Sequence, residues 1–62
     1  MREERQGFRI LLVDDEPRIR DTLATYLRNA GYEVCCAPDA IQAMERLAAE
    51  SFDLVMTDIS MP

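Results

Sequence analysis

Along this chain, short unbroken apolar runs alternate with stretches in which apolar residues recur every three or four positions. The first run, Ile10-Leu11-Leu12-Val13, has the length and branched content of a strand buried on both faces. Pro17 then suits the first turn of a helix, where its missing N–H costs nothing. Ile19, Leu23, Tyr26, Leu27 and Ala30 follow as a helical stripe, and Gly31 sits where a C′ glycine would stop it. Tyr32 to Ala37 reads as a second strand. Pro38-Asp39 breaks that strand, and Asp39 with Gln42 three positions on resembles a capping box. Ala40, Ala43, Met44, Leu47 and Ala48 form one face of a second helix, with Met44 expected in the core and Ile41 off that face. Asp53 introduces a third strand, apolar from Phe52 to Met56 and running to Asp58, with Met56 a second core methionine.

The connections are long enough for right-handed crossovers, so the pattern predicts a parallel βαβαβ sheet. Open α/β sheets bind ligands beyond the carboxyl ends of their strands, where strand order reverses. Asp14 and Asp15 close the first run and Asp58 closes the third. A strand order of 2-1-3 would set these runs side by side and gather the acids in one crevice. At an effective dielectric near 20 and a separation of about 4 Å, each such charge pair costs roughly 4 kcal/mol. Protonating one acid, or placing a cation between them, relieves that cost. Oxygen-only ligands with open positions suit Mg²⁺. Simpler roles stand beside this one. Asp14 or Asp15 could cap the next helix and favour its positive end, Glu16 reads as a first-turn acid, and Asp58 could be an ordinary turn residue. Thr57 should face away from the crevice.

Composition narrows the field. Sixty-two residues make one small domain at most. Apolar burial on the order of 3,700 Å² would contribute roughly 90 kcal/mol. Ordering the chain costs about the same, at about 1.5 kcal/mol per residue, so stability is marginal. The net charge is −5, with no histidine and no lysine. Without clustered basic residues the chain is a poor nucleic-acid binder. Arg2, Arg5 and Arg9 are interrupted by Glu3 and Glu4, and this start reads as a solvated tail over residues 1–7. No apolar run approaches the roughly 18 residues that span a bilayer, and the charged start lacks a signal peptide's apolar core. A soluble cytoplasmic protein without a membrane partner is expected. Cys35 and Cys36 are neighbours, so in a strand they point to opposite faces and stay reduced thiols.

The stretches Ile10-Leu11-Leu12-Val13-Asp14-Asp15-Glu16-Pro17 and Asp58-Ile59-Ser60-Met61-Pro62 carry a resemblance, supported by Gly31-Tyr32-Glu33-Val34 and Phe52-Asp53-Leu54-Val55. Together they are similar to the receiver domain of two-component response regulators. The resemblance covers residues 8–62 and about the first half of that family's domain. It implies a truncated flavodoxin-like fold with sheet order 2-1-3. It also implies that Asp58 accepts a phosphoryl group from a histidine kinase, in a two-component phosphorelay. Asp15 would bind Mg²⁺ directly, Asp14 mostly through a water, and the Ser60 backbone carbonyl would be a further ligand beside Asp58. Such a module is a signalling domain and no enzyme, since the only transfer is to its own aspartate.

The resemblance also implies a switch Ser or Thr and a pairing Lys farther along. The chain ends at Pro62 and has no lysine, so it is expected to be a truncated piece, incompetent in signalling. Mg²⁺ binding should survive weakly, and durable phosphorylation should be lost. The open flank of the third strand would invite self-association, and a self-associating scaffold without phosphotransfer is the alternative reading. A metal-dependent phosphohydrolase fits less well, because haloacid-dehalogenase-like enzymes carry Asp-x-Asp where this chain has adjacent acids.

Overall fold

The computed structural model describes residues 7–57. Its elements are β1 (Arg9–Val13), α1 (Pro17–Asn29), β2 (Glu33–Ala37), α2 (Ala40–Ala49) and β3 (Leu54–Thr57). The strands form one sheet in the order β2-β1-β3, and both pairings are parallel. This is the expected βαβαβ topology. Arg9 to Val13 pair with Glu33 to Ala37 on one side, and Ile10 to Val13 with Leu54 to Thr57 on the other. The tail expected over residues 1–7 lies, but for Gly7, outside the described residues.

The unbroken apolar run of β1 is explained by its central place. Side chains alternate between faces, so a strand covered on both must be apolar throughout. Ile10 and Leu12 pack with Ala24 and Val34, joined by Leu23, Leu27, Cys36 and Met56. Leu11 and Val13 pack on the other face with Ala37 and Ala43, joined by Cys35 and Phe52. The two cysteines therefore part to opposite faces as expected, and both are free thiols. Ala24 and Ala43 are the buried helical residues of α1 and α2, among those described. A small side chain there lets each helix lie close against the sheet.

Local signals set the helix ends. Pro17 opens α1, with Glu16 as N-cap making no side-chain cap bond. At the other end Gly31 has φ 102°. The Gly31 N–H donates to the Arg28 carbonyl (3.0 Å) and the Tyr32 N–H to the Leu27 carbonyl (3.1 Å), which is a Schellman closure. Asp39 caps α2, its Oδ1 accepting from the Gln42 N–H at 2.8 Å. The helical stripes are less buried than their periodicity suggests. Met44, expected in the core, is 69% exposed, and Ile19, Tyr26, Ile41 and Leu47 are exposed as well.

Arg9, read from the sequence with the charged start, is instead the first residue of β1 and a hub. Its guanidinium donates to Glu50 Oε1 and to the Ser51 carbonyl (2.9 Å), while Nε lies 3.3 Å from Glu33 Oε2 without hydrogen-bond alignment. Its backbone exchanges bonds with Asp53, N–H to Oδ2 and carbonyl from the Asp53 N–H, both at 2.8 Å. The guanidinium also lies over the Phe52 ring, 5.0 Å from its centre. One side chain thus ties β1 to β2 and the end of α2, and its backbone ties β1 to the approach to β3. Arg46 adds a second donor to Glu50 at 3.2 Å. The hydrogen bond from Arg9 is the main reason the Glu50 carboxyl is held below its ordinary range.

Candidate functional site

The candidate site lies at the carboxyl end of β1. Asp14 directly follows the strand and is 2% exposed. Its N–H extends the β1–β2 ladder by donating to the Ala37 carbonyl at 3.1 Å. Its Oδ1 accepts from the Glu16 N–H at 2.9 Å, a turn in which the side chain stands in for a backbone carbonyl. This bond tethers the residue just before α1, so part of the expected capping role is real. It is made to the N-cap residue and not to the helix's own first turn. Asp15, one residue on, is exposed.

A hollow of about 350 Å³ opens beside Asp14, walled by Leu12, Val13, Ile19, Leu23, Met56 and Thr57. One wall is the end of β3, so Asp14, just past β1, and the last described residues of β3 border one space. Thr57, expected to turn from the crevice, contributes to that wall. The ladder between the two strands closes with Val13 opposite Thr57. Asp58 and Ser60, the other two residues assigned to the site from sequence, lie outside the described residues.

Among the described residues no group of three or more His, Cys, Asp or Glu side chains is arranged to hold a metal. Asp14 and Asp15 contribute carboxylate oxygens alone. That donor set fits a hard cation such as Mg²⁺, which takes one or two carboxylates and keeps several waters. It does not fit a soft metal seeking nitrogen or sulfur.

Sequence reasoning missed one neighbour of the site. Arg20, half-buried in the first turns of α1, donates from Nη1 to the Asp14 carbonyl at 2.9 Å. A basic residue shortly after an acidic run was its one signal, because a bond to a backbone carbonyl leaves no mark on the partner's identity. Among the described residues no helix is long and apolar enough to cross a membrane.

Comparison with known proteins identifies the family. The model of the response regulator receiver domain matches residues 10–62. The transcriptional activator protein PfeR of Pseudomonas aeruginosa is 41% identical over 54 residues, covering 87% of this chain and 18% of the relative. The transcriptional regulatory protein AruR of the same organism is 44% identical over 59 residues, covering 87% and 24%. The CAI-1 autoinducer sensor kinase/phosphatase CqsS of Vibrio cholerae is 39% identical over 62 residues, covering 100% and 9%. The chain thus spans less than a quarter of the length of these relatives. No solved structure gives a significant match.

Proposed function

The chain belongs to the response regulator receiver domain family, and from that premise we propose that Asp58 is its phosphoacceptor, with a histidine kinase as donor. Receiver domains are signalling modules that take phosphoryl groups from histidine kinases and generally bind Mg²⁺ at the phosphorylation site. The finer assignment here is that Asp14, Asp15, Asp58 and the Ser60 backbone carbonyl hold that ion. Free Cys35 and Cys36 accord with a reducing, cytoplasmic setting.

One observation carries the reading. Parallel pairing runs in register up to Val13 opposite Thr57, and the residues that follow these two strands in the sequence are Asp14 and Asp58. Asp14 is also buried and hydrogen-bonded, so it is held in place. In the reaction a carboxylate oxygen of Asp58 attacks the phosphorus of a phosphohistidine. The new O–P bond forms as the N–P bond breaks, and the leaving pair returns to the imidazole nitrogen. When bound, the divalent cation offsets charge on the equatorial phosphoryl oxygens. Asp14 and Asp15 bind and orient, and the apolar wall of Leu12, Leu23 and Met56 lowers the local dielectric and strengthens charge interactions at the site.

Brief treatment with acetyl phosphate, followed by intact mass and peptide mapping, tests this. A small, short-lived fraction should carry one phosphate on Asp58, only with Mg²⁺, because durable phosphorylation is expected to be lost, and that label should be absent in Asp58→Asn. Labelling that persists in Asp58→Asn would overturn the assignment.

A second reading, self-association of the chain, is favoured by β3. Among the described residues it pairs on one side only, and Leu54 and Val55 are exposed. Unpaired strand edges of this kind recruit further strands. Light scattering on the eluting peak should then give more than one chain per particle at micromolar concentration, and a monomer would remove this reading.

A further inference from the structure

Asp14 is fixed at three points, and one of them is supplied by a cationic side chain. Its N–H is held by the Ala37 carbonyl (3.1 Å), its Oδ1 by the Glu16 N–H (2.9 Å) and its carbonyl by Arg20 Nη1 (2.9 Å). Arg20 is itself anchored, since its backbone N–H donates to the Glu16 carbonyl at 2.9 Å. It therefore spans the whole turn between strand and helix. The Asp14 carbonyl belongs to the peptide plane that joins the two acids. That unit is rigid, so fixing its oxygen fixes the Asp15 N–H and the direction in which Asp15 leaves the plane. No hydrogen bond to the Asp15 carboxylate occurs among the described residues, so the backbone is its anchor.

We propose that Arg20 is a positioning residue of the site, its guanidinium holding the Asp14–Asp15 peptide plane so that Asp15 presents its carboxylate to a divalent cation. This rests on the reading of Asp14 and Asp15 as cation ligands. The charge of Arg20 acts in the opposite sense, because a guanidinium near the site repels a second cation. Removing Arg20 therefore strengthens cation binding if charge dominates and weakens it if the tether dominates. The tether dominates here. The guanidinium donates to the Asp14 carbonyl and, among the described residues, pairs with neither carboxylate, so its main effect is to hold the turn. Loss of an orienting partner outside the ligand set commonly lowers metal affinity on the order of tenfold or more.

The test is an amide-detected NMR titration of the ¹⁵N-labelled chain with MgCl₂, at about 0.15 M salt. It compares the parent, Arg20→Met, Arg20→Lys and Arg28→Met. Methionine keeps an apolar stem to pack, which protects the fold. Arg28 donates Nη2 to the Val34 carbonyl at 2.9 Å, a like bond at the far end of α1, and so controls for a merely structural loss. Arg20→Met should weaken Mg²⁺ binding on the order of tenfold, Arg20→Lys should recover most of it, and Arg28→Met should match the parent. In cation-free protein the Glu16 amide should exchange faster in Arg20→Met alone. Binding in Arg20→Met as tight as the parent's, or tighter, overturns the proposal while sparing the site assignment. A parent that binds no Mg²⁺ overturns the site assignment, and with it this role in cation binding. The Glu16 exchange then still judges the tether, which unchanged protection in Arg20→Met would refute.

Discussion

Leu11→Ala should be among the most damaging truncations in the chain, and its magnitude follows from its surroundings. Leu11 is 0% exposed on the central strand. Its buried neighbours are Val13, Ala37 and Ala43, with Cys35 and Phe52 packed against them. Alanines have no rotamer that swings into a void, and Val13 is held in the same strand, so the space left behind stays open. That argues for about 3 to 4 kcal/mol, inside the range of roughly 2 to 5 for such changes. A chain of this size has a total stability of roughly 3 to 9 kcal/mol. The variant should thus be close to half-unfolded in buffer, or have a urea midpoint lowered by about 3 M if the slope is near 1 kcal/mol/M. Leu54→Ala removes the same atoms from β3, where the side chain is 44% exposed, and should cost about 1 kcal/mol. Far-UV circular dichroism during urea titration reads both. Equal costs at the two sites, or a Leu11→Ala cost below about 1.5 kcal/mol, would refute the claim that the core is centred on β1.

Two further outcomes follow from the helix end and the ion network. Gly31→Ala places a Cβ at φ 102°, where an L side chain strains the backbone although no atom lies within contact distance. The loss should be about 1 to 2 kcal/mol by urea titration, and an unchanged midpoint would count against the Schellman closure. Glu50 sits below its ordinary value of 4.5, chiefly through the Arg9 hydrogen bond and secondarily through Arg46, against the opposing effect of burial. A carboxyl lowered in the folded state contributes stability that is fully present above its unfolded pKa and is lost as pH falls through the folded one. The stability gap between the parent and Arg9→Met should therefore be level at neutral pH and narrow as pH falls below 4.5. A gap that widens in acid would contradict the pairing.

The parts of the fold that were legible in the sequence rest on short-range chemistry. Ile10 to Val13, Pro17 and Gly31 carry their reason within a few residues and are found in the expected role, and the Asp39–Gln42 spacing yields the Asp39 half of a capping box. The parallel βαβαβ pattern was legible in the apolar runs and crossover lengths, whereas the 2-1-3 order came from the family resemblance, since the crossovers also permit 1-2-3. Arg9 was not legible, since its partners Glu33, Glu50 and Asp53 are far along the chain. Helical periodicity identified faces without saying what covers them. Met44 and Tyr26 lie on predicted stripes and are exposed, whereas small Ala24, outside the predicted stripe, makes the close contact with the sheet. For the candidate site, the sequence pointed to Asp14 and Asp15 but not to the Arg20 bond, whose partner is a backbone carbonyl. Asp58 and Ser60 rest on sequence and family alone.

The charges of this small sheet are sorted along its strands, and the sorting explains how an acidic site can be stable before any ligand arrives. The ion pairs among the described residues, Arg9 with Glu33 and Glu50 and Arg46 with Glu50, gather at the amino end of β1. At the carboxyl end Asp14, Asp15 and Glu16 follow one another, and among the described residues no ion pair engages them. Strands rise about 3.3 Å per residue, so the two ends of β1 stand on the order of 15 Å apart, beyond a Debye length at physiological salt. In-register parallel strands behave as a lever, because fixing Arg9 against β2 and the approach to β3 fixes where Val13 and Thr57 end. Cationic groups near the acids would do the same work locally but would compete with a bound cation. Arg20 holds the turn through a carbonyl, leaving both carboxylates free of any cationic partner among the described residues. The register is thus secured at one end by opposite charges while like charges accumulate at the other, an arrangement that suits the cation-dependent phosphoacceptor role proposed above.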